Sequence, residues 1–105
     1  MEINNHGLIF YPVNNNSSVI KAMLSNRKWE KKIVNIFNEN ITKEDTVIDV
    51  GSYIGLHTIE MSKLANKVYS FEPVPLISAC VLKTIKAMNI TNVIHKNVGC
   101  GSDNG

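Results

Sequence analysis

The apolar positions of this chain change period several times, and the changes mark its elements. Leu8-Ile9-Phe10-Tyr11-Pro12-Val13 is a continuous apolar and aromatic run that predicts a strand. Pro12 has no N–H for a ladder, so this strand belongs at a sheet edge. After the polar loop Asn14-Asn15-Asn16-Ser17, Ser18 can cap a short helix in which Val19, Ile20, Met23 and Leu24 recur at helical spacing. Trp29, Ile33, Phe37 and Ile41 then stand four apart, opposite Glu30, Lys31, Lys32 and Asn38. That stripe predicts an amphipathic helix over about 28–38 that packs on a sheet or a partner helix, with Trp29 and Phe37 as core residues.

A polar turn, Thr42-Lys43-Glu44-Asp45, leads into Thr46-Val47-Ile48-Asp49-Val50, a β-branched run without clean alternation, as a strand covered on both faces shows. Over residues 54–65 the period is helical, with Ile54, Thr58, Met61 and Ala65 on one face. Residues 67–72 return to strand character until Pro73 and Pro75 stop it. Ile77, Val81, Thr84, Ile85 and Met88 mark a further helix over about 76–88, and residues 92–98 close as a strand. The order β-α-β-α-β implies parallel strands joined by right-handed crossovers, so the class is α/β, the first half of a doubly wound sheet. The sheet unit is expected over residues 46–105, preceded by a strand and helical extension over residues 1–45. Such sheets bind ligands beyond the carboxyl ends of their strands. That rule brings Gly51 to Gly55, Glu72-Pro73 and the tail after Val98 to one edge.

At 105 residues and 44% apolar content the chain can bury one small core. Eleven basic against nine acidic side chains, with no basic run, indicate no nucleic-acid partner. There is no apolar stretch of membrane-spanning length and no basic-then-apolar leader, so a soluble, cytoplasmic chain without membrane contact is expected. Cys80 and Cys100 lie twenty apart with no CxxC and no histidine at ligand spacing, which argues against a metal site or a disulfide framework.

The segment Val47-Ile48-Asp49-Val50-Gly51-Ser52-Tyr53-Ile54-Gly55 carries the candidate chemistry: strand, tight turn, helix. Gly51 lets the backbone turn and approach a ligand, and Gly55 opens the helix close to the sheet with its free N–H groups facing a polar ligand. A dinucleotide fingerprint needs a glycine where this chain has Tyr53, and Asp49 would repel a pyrophosphate, so NAD is disfavoured. A carboxylate there suits a cofactor with a cationic amine, such as S-adenosyl-L-methionine. Glu72, at the end of the next strand, can accept hydrogen bonds from both hydroxyls of a ribose. Tyr53 either covers that cofactor or packs on the loop. His57, one turn into the helix, is expected to be exposed or packed and receives no catalytic role. No catalytic residue stands out.

The run from Val47 to Thr58, followed by Val68-Tyr69-Ser70-Phe71-Glu72-Pro73, resembles the FkbM-type S-adenosylmethionine-dependent methyltransferases, with their pattern D-x-G-x-x-x-G-x-x-T and then F-E-P. The resemblance covers roughly residues 46–105. It implies a Rossmann-like class I methyltransferase fold in which Asp49, Gly51 and Gly55 line the methionine end of the cofactor, Ser52 and Tyr53 stand between them, and Glu72 and Pro73 meet the ribose. Ser52-Tyr53 replaces the Ala-Asn common between the family's glycines. The acceptor it implies is a small molecule, often a sugar hydroxyl. It also implies a seven-stranded sheet of order 3-2-1-4-5-7-6, of which this chain supplies three strands, with residues 97–105 near the adenine. The chain is then an N-terminal fragment, a truncated reading frame or half of an assembly, inactive by itself and open to self-association through its exposed edge. The competing reading is a non-catalytic module that uses that edge to pair with itself or a partner.

Overall fold

A computed structural model describes residues 2–4, 7–11 and 27–99. Two short strands, β1 (Glu2–Asn4) and β2 (Gly7–Ile9), form an antiparallel hairpin, followed by α1 (Arg27–Asn40). The remaining elements alternate: β3 (Thr46–Val50), α2 (Leu56–Ser62), β4 (Lys67–Phe71), α3 (Pro75–Ala87) and β5 (Val93–Lys96). The last three strands form one parallel sheet of order β3-β4-β5. This is the expected α/β pattern with an incomplete parallel sheet. The helix expected after Ser18, the side chain of Trp29, and residues 100–105 of the tail expected near the adenine, Cys100 among them, lie outside the described residues or side chains.

Local chemistry explains the boundaries. Asp45 folds the turn before β3 by accepting from the Thr42 N–H at 2.8 Å. Pro75 occupies the first turn of α3, where its missing N–H costs nothing and its fixed φ fits the helix. At the other end Asn89 adopts φ 53°, with Ile90 N–H donating to the Ile85 carbonyl at 3.0 Å and Asn89 N–H to Lys86 at 3.2 Å. That is the left-handed helix stop in which asparagine is the usual substitute for glycine. On α3, burial pushes the Cys80 thiol up, against the opposing pull of Lys83, as a weakly reactive thiol requires.

Two expectations are corrected. The strand expected over residues 8–13 ends at Ile9 and pairs with β1 in the hairpin, and residues 12 and 13 lie outside the described residues. Its continuation turns to α3, where Phe10 N–H donates to Thr84 Oγ1 at 2.9 Å, and Ile9 and Tyr11 join the core with Ile54, Leu56 and Ile59. Nor is β3 covered on both faces. Its residues alternate in burial, with Ile48 and Val50 left 65% and 60% exposed. Thr58 of α2 bonds Asp49 of β3, and Ser78 of α3 bonds His95 of β5. Because Asp49, Ser70 and His95 are in register across the sheet, both crossover helices lie on the same face. Beneath those helices Met61, Ala65 and Val68 pack with Phe37, Ile41, Val47 and Val93, which seats α1 on the same side.

Gly55 approaches α3 rather than the sheet: a Cβ added there would stand 3.3 Å from Val81 Cγ1, at φ +89°. At Gly51, φ is +70° but the space is open. Gly51→Ala is therefore expected to cost about 1–2 kcal/mol from backbone strain alone, and Gly55→Ala more than that because Val81 must also move. Urea unfolding of the two variants measures the difference.

Candidate functional site at the strand ends

The turn after β3 is tied to the end of β4. Gly51 and Ser52 both donate their N–H to the Phe71 carbonyl, at 2.8 and 3.0 Å, and Gly55 N–H donates to the Ser52 carbonyl at 2.9 Å. Inside this turn Tyr53 has φ 53°, a left-handed conformation that costs a side-chain-bearing residue about 1–2 kcal/mol. Glu72 offsets it. The Glu72 carboxylate, 5% exposed, accepts Tyr53 N–H at 2.8 Å through Oε1 and Val74 N–H at 3.1 Å through Oε2. Each oxygen keeps a second lone pair for a further donor. After β5, Asn97 Nδ2 donates to the carbonyls of Glu72 and Pro73 at 2.9 and 3.0 Å. All three strand exits thus meet at one edge, as the topology requires.

A cavity of about 160 Å³ opens over this turn, lined by Asp49, Gly51, Ser52, Tyr53, Ile54, Leu56 and His57. Complete small-molecule sites run to roughly 300–1,000 Å³, so this cavity fits part of a cofactor. Four of the expected site residues, Asp49, Gly51, Ser52 and Tyr53, line it. Gly55 is buried against Val81, Glu72 braces the loop, and Pro73 is exposed on the neighbouring exit. His57, to which the sequence reading assigns no role, is in the lining, its ring edge-on to Phe37 at 5.6 Å and 84°. The only sequence signal for His57 is its place two residues after Gly55, on the turn that faces the strand ends.

Two features show what the cavity can receive. Asp49 Oδ2 accepts from Thr58 Oγ1 at 2.5 Å, while no described residue bonds Oδ1. Ser52 Oγ is buried with no hydrogen-bond partner among the described residues, an omission worth about 1–3 kcal/mol. A cavity lined both by a carboxylate with a spare oxygen and by a serine with an orphaned hydroxyl suits a ligand carrying a cationic donor and a further polar atom, so the residues fit the amino-acid end of S-adenosylmethionine. Among the described residues no three His, Cys, Asp or Glu side chains are grouped to hold a metal ion, and no helix is long and apolar enough to cross a membrane.

No protein-family model and no curated protein matches this sequence. Solved structures do. A candidate methyltransferase of Streptococcus mutans, crystallised with S-adenosylhomocysteine, is 25% identical with a TM-score of 0.61, over 66% of this chain and 39% of its own. The tRNA (m1A58) methyltransferase TrmI of Aquifex aeolicus is 28% identical with a TM-score of 0.64, over 70% of this chain and 30% of its own. An rRNA methylase of Streptococcus thermophilus, at 20% identity and a TM-score of 0.61 over 66% and 38%, shares the fold. The fold is that of the Rossmann-like class I methyltransferases. The chain spans about two fifths or less of these structures' lengths.

Behind the cavity, His95 lies under α3. Burial lowers its pKa, while Glu72 and Asp49 pull the other way. An unfolded histidine titrates near 6.5, so below about that pH the unfolded chain binds the proton first and stability is lost as pH falls toward the lower folded value. The urea midpoint is expected to drop between pH 7.5 and 5.5, and to drop less in His95→Gln.

Proposed function

We propose that this chain is the cofactor-binding part of an S-adenosylmethionine-dependent methyltransferase. The observation that carries the reading is a cavity lined by Asp49, with its spare oxygen, and by Ser52, with its orphaned hydroxyl, over the Gly51–Gly55 turn of a class I methyltransferase fold. Asp49 receives the cofactor's ammonium group, the backbone at Gly51, Ser52 and Tyr53 follows its methionine end, and Glu72 uses its remaining lone pairs for the ribose, near Pro73. Gly55 holds the turn against α3. When bound, the cofactor supplies an activated methyl group; these residues orient it and keep water from one side. The binding unit is residues 46–105, and residues 1–45 extend it. The S-adenosylhomocysteine bound to the Streptococcus mutans structure supports the choice of ligand.

The finer assignment rests on the FkbM-type resemblance carried by Asp49 to Thr58 and Phe71-Glu72-Pro73, a resemblance that implies a sugar or small-molecule hydroxyl as acceptor. A specific finding favours another acceptor. The similarity to TrmI, described as a tRNA methyltransferase, tells against excluding nucleic acid, which bulk charge alone had excluded. Calorimetric titration with S-adenosylhomocysteine tests the shared core of both readings: saturable binding is expected, weakened roughly ten- to a hundredfold in Asp49→Asn, the range for a hydrogen bond to a charged group. No binding by the folded chain would overturn it.

The competing assembly role also has an observation behind it, the exposed Ile48 and Val50 on an edge strand. An uncovered apolar edge of this kind pairs with other chains. Sedimentation is expected to show concentration-dependent association that Ile48→Lys reduces, with S-adenosylhomocysteine binding unchanged.

A further inference from the structure

Asp49, Ser70 and His95 stand side by side on adjacent strands, because Asp49 pairs with Ser70 and Ser70 with His95 in the parallel ladders. All three occupy the face covered by the helices, where a strand ordinarily buries apolar side chains. Thr58 of α2 bridges the first two: its Oγ1 is 2.5 Å from Asp49 Oδ2 and 3.3 Å from Ser70 Oγ. Ser70 Oγ is 2.8 Å from His95 Nδ1, and Ser78 Oγ of α3 is 2.7 Å from His95 Nε2. Thr58, Ser70 and Ser78 are at most 1% exposed. Five polar side chains therefore form one row, buried at Thr58, Ser70 and Ser78 and half-buried at Asp49 and His95, that begins at the cavity.

Counting protons orients the row. Thr58 has one hydroxyl hydrogen, and the short contact to a carboxylate that has none to give takes it. Ser70 then has two acceptors within reach of its one hydrogen, Thr58 Oγ1 at 3.3 Å and His95 Nδ1 at 2.8 Å; donation to Thr58 makes the row continuous and leaves the Ser70 oxygen to accept from His95 Nδ1–H. A neutral imidazole has one N–H, so the bare Nε2 accepts from Ser78. In that arrangement every donor points toward Asp49. A run of hydrogen bonds aligned in one sense polarises along its length and holds its terminal acceptor more firmly than one bond does.

We propose that this row is a relay that fixes the Asp49 carboxylate in the orientation that receives a ligand's ammonium group, with His95 as its remote positioning residue. The proposal rests on the reading of Asp49 as the ligand's partner. It gives a role to a histidine that lies outside the cavity lining and outside every motif in the sequence. The charged groups around His95 are Asp49 on β3 and Glu72 at the exit of β4; Ser70 on β4 and Ser78 on α3 complete its surroundings. A proton gained by His95 adds positive charge to the row behind Asp49, which opposes a cationic ligand, and turns Nε2 into a donor, so that Ser78 no longer donates to it.

Two measurements test the relay. Long-range proton–nitrogen NMR of the ligand-free chain at pH 7.5 is expected to show His95 as the Nδ1–H tautomer, with its ring signals shifted in both Ser70→Ala and Asp49→Asn. Titration with S-adenosylhomocysteine at pH 7.5 and 5.5 is expected to show affinity about two- to tenfold weaker in Ser70→Ala and His95→Gln, the scale of one neutral hydrogen bond. Wild type is also expected to lose more affinity than His95→Gln on acidification. An Nε2–H tautomer, ring signals indifferent to Asp49→Asn, or variants that bind like wild type at both pH values would each overturn the relay. If wild type itself fails to bind S-adenosylhomocysteine, the reading of the cofactor site falls, and the NMR result still decides whether the row is coupled. Should the variants fail to fold, the wild-type tautomer decides it.

Discussion

The site depends on one buried carboxylate. Glu72 sits at the end of β4 with almost no exposure, and its two oxygens take the N–H groups of Tyr53 and Val74. A buried carboxylate is tolerable only where hydrogen bonds replace its water. Here the backbone donors come from the turn after β3 and from the residues leading into α3. One side chain thereby fixes the exits of two strands relative to each other, and Asn97 adds the third. The left-handed Tyr53 conformation, unfavourable in isolation, persists because its N–H is held. The cavity is the space that this arrangement leaves open.

The polarity of the sheet is the second determinant. On the face beneath the helices, Val47, Val68 and Val93 form an apolar row, and Asp49, Ser70 and His95 form the next row toward the strand ends. The first belongs to the core. The second is polar and linked by hydrogen bonds through Thr58, with one Asp49 oxygen left spare, and it lies on the route from the core to the cavity. On the opposite face Ile48 and Val50 are exposed. Asp49 of the cavity lining and an open apolar surface therefore share one edge strand, so substitutions at adjacent positions act on the two faces separately.

The likeness to class I methyltransferases and the geometry of the site agree at the level of fold and ligand chemistry. They separate over the acceptor. On the proposed reading, Phe71-Glu72-Pro73 and the Asp49 to Thr58 run serve the cofactor side, where enzymes with different acceptors have the same task. Nothing in the three-stranded sheet specifies the acceptor, because the residues described here gather around the turn after β3 and not across from it.

Much of this was legible in the chain itself. Changes of hydrophobic period located three helices and three parallel strands, since the period reflects which side chains can reach a common face along one segment. Gly51, Gly55 and Phe71-Glu72-Pro73 marked the turn and strand exit, because left-handed backbone and proline constraints act on neighbouring residues. Other features depended on partners distant in sequence. Covering of β3 on one face follows from both crossovers running the same way. The placement of Phe10 against Thr84, the two amides held by Glu72, and the alignment of His95 with Ser70 and Asp49 depend on strand register and helix seating. Local sequence determined where the chain turns and which faces are apolar; tertiary structure decided which buried donor meets which acceptor, because a hydrogen bond requires contact to within a few tenths of an ångström and no local pattern encodes that.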